Sequence, residues 1–355
     1  MRIMPEIDGS SVTECSMPHQ LQQSTRSAAD FFTRALSSFQ SSGSKFQVVC
    51  TAAPSQPRRG LDHGNPAPLP PRARPRTLIV LDSSFNPPTR AHLRMATSAI
   101  RGLTLNQGHR LSAVRLLLLL SVNNADKGVK PAAFDKRLAM MWAFARDVQH
   151  TLRNAAELAS VEGQDGSEAG AGAGAVSVDL GLATVPYFHD KSAALAESEF
   201  YNPEGDQDGA GETEQVFLVG YDTLIRILNP KYYGPPDSTG QPAVVESTPM
   251  RKALDPFFAR ATLRVTMRTD DEWGGAEEQR AYLDGLMRAE GLRKLGGSKD
   301  WGNRIEMVEG RGAGADIISS TYARTAAKAR AWDQLDSMVT PEVRWWIEWE
   351  NLYAE

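Results

Sequence analysis

The sequence predicts an α/β protein built on a doubly wound, mostly parallel sheet. Two observations carry this. From Thr77 onward, short apolar runs alternate with amphipathic helical stretches, the order that builds βαβ units. Within "AVRLLLLLSV" (113–122), five leucines stand in a row from Leu116 to Leu120. An unbroken apolar run suits a strand buried on both faces of a parallel sheet, not one half-exposed. In such sheets ligands bind beyond the carboxyl ends of the strands, where the strand order reverses.

The elements follow in order. Residues 1–24 are polar and without period and are expected to be disordered. "RSAADFFTRALSSFQS" (26–41) sets Phe31, Phe32, Leu36 and Phe39 at helical spacing, and "KFQVVCTAA" (45–53) reads as a strand. This helix and strand, residues 25–53, are expected to pack on the main domain. The Pro- and Arg-rich segment 54–76 reads as an extended linker. The main domain, 77–355, then opens. "TLIVLD" (77–82) is a strand and "RAHLRMATSAI" (90–100) a helix. The leucine strand is followed by the amphipathic "AAFDKRLAMMWAFARDV" (132–148). "VSVDLGLAT" (176–184), "EQVFLVG" (214–220) and "ATLRVTMR" (261–268) are further strands, and "YDTLIRIL" (221–228) is a helix. Low-complexity stretches near 162–175, 202–214 and 234–249 read as mobile surface insertions.

Composition excludes several classes. The 355 residues are 41% hydrophobic and 23% charged, ordinary for a globular chain. A net charge of -4 does not suggest a nucleic-acid or membrane-surface binder. No apolar run approaches the roughly 20 residues of a spanning helix. Cys15 and Cys50 are the two cysteines, too few for a disulfide framework. Glu6, Asp8 and Glu14 argue against a mitochondrial transit peptide, and no secretory signal is visible. The expectation is an intracellular protein of cytoplasm or nucleus.

Two strand-to-helix turns carry chemistry. In "LDSSFNPPTRAHLRMA" (81–96), Ser83, Ser84 and Phe85 could turn backbone N–H groups toward a ligand. Pro87 and Pro88 stiffen the loop and Thr89 suits an N-cap. A helix start favours an anion such as phosphate, and Thr89 and His92, three apart, share its face. The second turn, "DIISSTYARTAA" (316–327), puts Ser319, Ser320 and Thr321 at a helix start with Arg324 one turn in. The hydroxyls could cap that helix, and a forked guanidinium could hold the same anion. Each turn alone also reads as a plain capped helix; two phosphate-type helix starts in one α/β chain are more telling.

"SFNPPTRAHL" and "ISSTYAR" resemble the (H/T)xxH and ISSTxxR signatures of nucleotidylyltransferases, specifically the nicotinamide mononucleotide adenylyltransferases. "VNNADKGVKPAAFDKRLAMM" (122–141) is similar to the family's lysine loop and helix. "LVGYDTLIRILNPKYY" (218–233) is similar to its G-x-D-x-L segment, "VTMR" (265–268) to its arginine strand, and "VTPEVRWWIEWENLY" (339–353) to its closing helix. The six segments run in family order from about Arg76 to Tyr353. The divergent fungal branch, with its extra N-terminal helix and strand, looks closest. The resemblance implies a Rossmann-like fold of the nucleotidylyltransferase type. It also implies a reaction in which AMP passes from ATP to nicotinamide mononucleotide, giving NAD and pyrophosphate.

It further implies roles for particular residues. His92 and Thr89 would hold the phosphates during transfer, and Ser320, Thr321 and Arg324 those that depart. Lys127 or Lys130 would reach the phosphates from its loop. Gly220 and Asp222 would meet a ribose, although Asp222 could equally be a helix cap. Arg268 would meet adenine or phosphate, or form a structural ion pair. Backbone groups of Ser84 and Phe85 would meet the nicotinamide amide, and Tyr233 would stack on its ring. Tyr187 and Phe188 are further stacking candidates. Magnesium, Mg2+, would arrive with ATP and bridge phosphate oxygens. The chain departs from the pattern at Ser83, where the family usually has Gly, and at Thr269-Asp270-Asp271, where it has a Gly turn. Two other readings stay open: a nucleotidylyltransferase with another acceptor, and an ATP-binding or ATP-hydrolysing regulatory protein on the same fold.

Overall fold

A computed structural model describes residues 19–54, 66–107, 113–122, 132–162, 176–203, 211–234, 248–268, 274–288, 290–310 and 317–354. Lys127, Lys130, Cys15, the turn 269–271 and most of the three low-complexity insertions lie outside the described residues.

Among the described residues, seven strands form one sheet. They are β1 (Phe46–Ala52), β2 (Thr77–Asp82), β3 (Val114–Ser121), β4 (Ser177–Ala183), β5 (Glu214–Gly220), β6 (Ala261–Thr266) and β7 (Ile305–Val308). Their order is β1-β4-β3-β2-β5-β6-β7. Every pairing is parallel except β1 against β4 at one edge. The chain builds outward from β2 through β3 to β4, then returns to lay β5 on the other side of β2. The order therefore reverses between β2 and β5, the place where doubly wound sheets bind ligands.

The leucine run explains the middle of the sheet. Leu116, Leu118 and Leu120 enter the core on one face, and Leu117 and Leu119 the core on the other. All five are fully buried. The alternation is the two-residue strand period, with both faces covered. The first face is covered by α1 (His19–Ser42), α2 (Arg90–Gln107), α3 (Phe134–Glu162), α9 (Ser320–Lys328), α10 (Trp332–Met338) and α11 (Pro341–Trp349). The second is covered by α4 (Phe188–Ala196), α5 (Tyr221–Ile227), α6 (Pro249–Arg260), α7 (Ala276–Met287) and α8 (Gly291–Lys294). No helix among the described residues is long and apolar enough to cross a membrane.

Two sequence expectations change here. The first helix begins at His19 rather than 26. Its extra turns, "HQLQQST", contain good helix formers and no breaker, but no apolar stripe to read. The described part of the linker, residues 66–76, is tied to the sheet. The Thr51 N–H donates to the Ala67 carbonyl at 2.9 Å, and the Leu69 N–H to Thr51 Oγ1 at 3.0 Å. Arg115 Nη2 also donates to the Leu69 carbonyl at 3.0 Å. A proline-rich segment lacks donors, so it sits well at a sheet margin where its carbonyls accept.

Asp179 on β4 anchors this margin from within. It is 0% exposed and accepts from Thr51 Oγ1 (2.7 Å), from Arg115 Nε (2.8 Å) and Nη2 (2.6 Å), and from Tyr201 Oη (3.0 Å). A buried carboxylate is tolerated only with partners of this kind. Here they come from β1, β3 and the segment after α4.

Candidate active site

The carboxyl end of β2 leads into the first turn. The Ser83 N–H donates to the Leu119 carbonyl at 3.2 Å. That amide belongs to the sheet and is not offered to a ligand, contrary to the sequence reading. Phe85 then adopts a positive φ of 44°, a left-handed conformation that costs a non-glycine residue about 1 kcal/mol or more. The side chain gained by this bend is wholly buried, 5.5 Å from the His92 ring and 6.5 Å from Phe144 by centroids. The Asn86–Pro87 peptide is cis. Asn86 Oδ1 accepts from the Ala132 N–H at 2.9 Å and from Tyr353 Oη at 2.8 Å. The turn is thus tied to Ala132, two residues before α3, and to the chain's last described turn.

His92 is the third residue of α2. Its Nδ1 lies 3.0 Å from the Thr89 N–H and 2.9 Å from Thr89 Oγ1, and its Nε2 lies 2.9 Å from Ser83 Oγ. A backbone N–H has only a proton to give, so Nδ1 accepts and the ring proton sits on Nε2. The third helical residue reaches back to the capping N–H, the reciprocal half of a capping box with histidine in the place of Glu. The ring touches the cleft but is otherwise enclosed by protein. This desolvation pushes its pKa down to about 4. His92 is therefore a neutral donor at physiological pH.

The second turn arrives from 230 residues away and touches the first. Ser319 caps α9 by accepting from the Tyr322 N–H at 3.2 Å. Ser320 Oγ donates to the Pro87 carbonyl at 2.8 Å. Arg324 donates through Nη1 to the Asn86 carbonyl at 2.7 Å and through Nη2 to Thr321 Oγ1 at 3.1 Å.

Across the order reversal, β5 ends at Gly220, which caps α5 without a side chain. Asp222 is not the cap. Its Oδ1 lies 3.5 Å from Arg268 Nη1 at the end of β6, so two residues singled out separately form a pair. A Cβ on Gly220 would come within 2.7 Å of Asp222 Oδ1 and disturb that pair. Tyr233 ends a short 3-10 turn (Pro230–Tyr233), and its hydroxyl donates to the Ile227 carbonyl at 2.5 Å. Burial pushes that phenol above its ordinary range. The Tyr233 ring faces His189 at 5.8 Å, and His189 stacks on Tyr187 at 5.6 Å and 10°.

These pieces line one cleft of about 1540 Å³. Ser84, Thr89, His92, Gly220, Asp222, Tyr233, Arg268, Ser320, Thr321 and Arg324 all border it, as do Tyr187 and Phe188. Phe85 does not; its side chain is core. Phe188 is held mainly by Phe217 at 5.7 Å, while Tyr187 is 39% exposed with its ring available. Lys127 and Lys130 fall outside the described residues. Several bordering residues escaped the sequence reading. Lys191 on α4 pairs with Asp82 at the end of β2, both side chains nearly buried. Arg94, Arg101, Arg137 and Arg226 also border the cleft. Seven basic side chains against three acidic ones make this wall positive in a chain of net charge -4. Such a concentration draws anions. It was illegible because the cations come from separate elements, with no run of charge.

A doubly wound sheet with two phosphate-type helix starts meeting at its order reversal makes a site for the phosphates of a nucleotide. No family model matches the chain. A curated protein of Schizosaccharomyces pombe, named "Putative nicotinamide mononucleotide adenylyltransferase", is 30% identical over 249 residues, which cover 70% of this chain and 75% of that one. The chain belongs to the nicotinamide mononucleotide adenylyltransferase family. Among solved structures, Plasmodium falciparum nicotinic acid mononucleotide adenylyltransferase complexed with NaAD is similar at 11% identity and a TM-score of 0.41, covering 79% of this chain and 98% of that one. The same enzyme complexed with APC gives 0.39 at the same identity and coverage.

Proposed function

We propose that the protein transfers the adenylyl group of ATP to nicotinamide mononucleotide, forming NAD and pyrophosphate. The observation that carries this is the direct contact between the two turns. Ser320 on Pro87 and Arg324 on Asn86 close a cationic cleft around a neutral histidine. Family membership supports the choice of acceptor.

In the reaction an oxygen of the mononucleotide's 5′-phosphate bonds to the α-phosphorus. The bond from that phosphorus to the β-bridging oxygen breaks, and its electron pair leaves with pyrophosphate. Such transfers depend on alignment and charge stabilisation more than on covalent help. Thr89 fixes His92 with its proton on Nε2, on the side of the cleft where the α-phosphate would bind. Ser320, Thr321 and Arg324 hold the β- and γ-phosphates, and Lys127 or Lys130 assists from its loop. Asp222, held by Arg268, accepts from the adenosine ribose. Backbone groups of Ser84 and Phe85 meet the nicotinamide amide, and Tyr233, with Tyr187 beside it, offers rings to the pyridine.

Magnesium enters this scheme as part of the ATP. Among the described residues no cluster of three metal-ligating side chains exists, and the cleft's Asp82 and Asp222 are each paired with a cation. The ion bound to phosphate oxygens would neutralise charge there, keeping most of its waters. An intracellular place, in cytoplasm or nucleus, accords with these substrates.

The test is incubation of pure protein with ATP, magnesium and nicotinamide mononucleotide, with NAD and pyrophosphate measured together. Equal amounts of both are expected. ADP and phosphate without NAD would overturn the proposal. A parallel incubation with nicotinate mononucleotide reads the acceptor preference.

A further inference from the structure

Ser83 lies at the cleft end of β2, between the sheet and the His92 ring. Among the described residues, its hydroxyl has His92 as its one partner, at 2.9 Å from Nε2. Because the Thr89 N–H occupies Nδ1, the Nε2 proton is given to Ser83 Oγ. A serine hydroxyl that accepts one hydrogen bond keeps its own proton to donate. Ser83 borders the cleft beside His92, Thr89 and Ser84.

We propose that Ser83 is a catalytic residue standing between His92 and the phosphate under transfer. Its hydroxyl accepts the His92 Nε2–H and donates to a non-bridging oxygen of the ATP α-phosphate. His92 is then a positioning residue that polarises Ser83, and the chain of donors runs from the Thr89 N–H through the ring to the phosphate. Linked hydrogen bonds strengthen one another where water is excluded. As the new phosphorus–oxygen bond forms and the bond to pyrophosphate breaks, charge on the non-bridging oxygens shifts and both hydrogen bonds shorten. No proton changes owner. The inference rests on the adenylyl-transfer reading above and refines which side chain meets the phosphate.

Two measurements test it on the full chain. In steady-state kinetics, S83A is expected to lose about 100-fold in kcat, the scale of one preorganised donor, with KM for ATP nearly unchanged. S83G is expected to lose less, because removing the Cβ gives phosphate room to reach Nε2 directly. Wild-type turnover in S83A would overturn the proposal. The second measurement follows the His92 Nε2–H resonance in histidine-labelled protein, identified by its absence in H92Q. On adding the α,β-methylene analogue of ATP, the resonance is expected to stay in place in wild type and to move in S83G. Equal movement in both would mean that Ser83 swings aside and His92 meets the phosphate itself. The resonance needs bound nucleotide but not turnover. A wild type that binds the analogue and makes no NAD therefore removes the adenylyl-transfer reading without deciding the role of Ser83, which the resonance decides.

Discussion

Arg324 Nη1 donates to the Asn86 carbonyl at 2.7 Å, joining residues 238 positions apart in the chain. The same guanidinium reaches Thr321 Oγ1 through its other nitrogen. One side chain thus holds both turns of the cleft at once. The Asn86 carboxamide oxygen meanwhile accepts from Ala132 and Tyr353. The loop carrying Ser83 to Thr89 is therefore positioned by three separate parts of the chain.

Arg324 should be sensitive to shape as well as charge. A lysine keeps the charge but cannot fork between Asn86 and a phosphate. We expect R324A to lower kcat/KM for ATP by about 1000-fold, the scale of a charged phosphate clamp. R324K should recover no more than about a tenth of the wild-type value. Steady-state kinetics with ATP varied will decide; R324K at the wild-type rate would remove the forked contact from the argument.

His92 predicts a pH dependence of stability. Its native pKa of about 4 lies below the usual 6.5. Between those values the unfolded chain binds the proton and the native protein does not. Stability should therefore rise with pH across that window, be complete above about 6.5, and fall as pH drops toward 4. Burial pushes the carboxyls of Asp147 and Glu342 up, which works in the opposite sense. The comparison is thus wild type against H92Q, which cannot titrate there. Urea midpoints at pH 5 and pH 7.5 should differ more in wild type than in H92Q. Equal differences would contradict the assignment. H92A should also lower turnover by roughly 100- to 1000-fold without unfolding the protein, the range for losing one preorganised donor.

The Asp222–Arg268 pair should act on binding more than on rate. The 3.5 Å contact leaves both groups partly exposed, so its worth to stability is small, within about 1 kcal/mol. D222A removes an acceptor placed for a ribose. The expected result is a rise of about tenfold in KM for ATP, one lost hydrogen bond to a charged group, with kcat changed far less. A large fall in kcat at unchanged KM would place Asp222 at the phosphates instead.

Much of the architecture was legible because its signals are local. Five leucines in a row announced a strand covered on both faces, and alternating elements announced the doubly wound order. Ser319 capping α9 and the Thr89–His92 pairing were also readable, since three-residue spacing fixes them. What escaped was of three kinds. β7 is only four residues, Ile305–Val308, with its apolar positions mixed with Glu306, too short a pattern to separate from a loop. The Asp82–Lys191 pair and the ring cluster of Tyr187, His189 and Tyr233 depend on which helix lies over which strand end. No spacing within the chain encodes that. The Ser83–His92 contact was close in sequence yet unread, because it depends on the left-handed turn at Phe85.

The last expectation concerns Asp179, where stability should be concentrated. Its carboxylate is wholly buried and binds Arg115, Thr51 and Tyr201. D179A would strand the Arg115 guanidinium in the sheet and leave two hydroxyls without their acceptor. The cost should be about 3–5 kcal/mol, as for other buried pairs broken on one side. The double variant R115L/D179L removes both charges together and should cost less than D179A alone, because no buried charge is left unpaired. Urea unfolding of the three proteins measures this. Hydrogen exchange should locate the damage in β1 and in residues 66–71, since Thr51 and Arg115 hold those segments through Leu69. A D179A protein within about 1 kcal/mol of wild type would mean that packing alone holds the margin, the contribution then being no larger than a surface pair's.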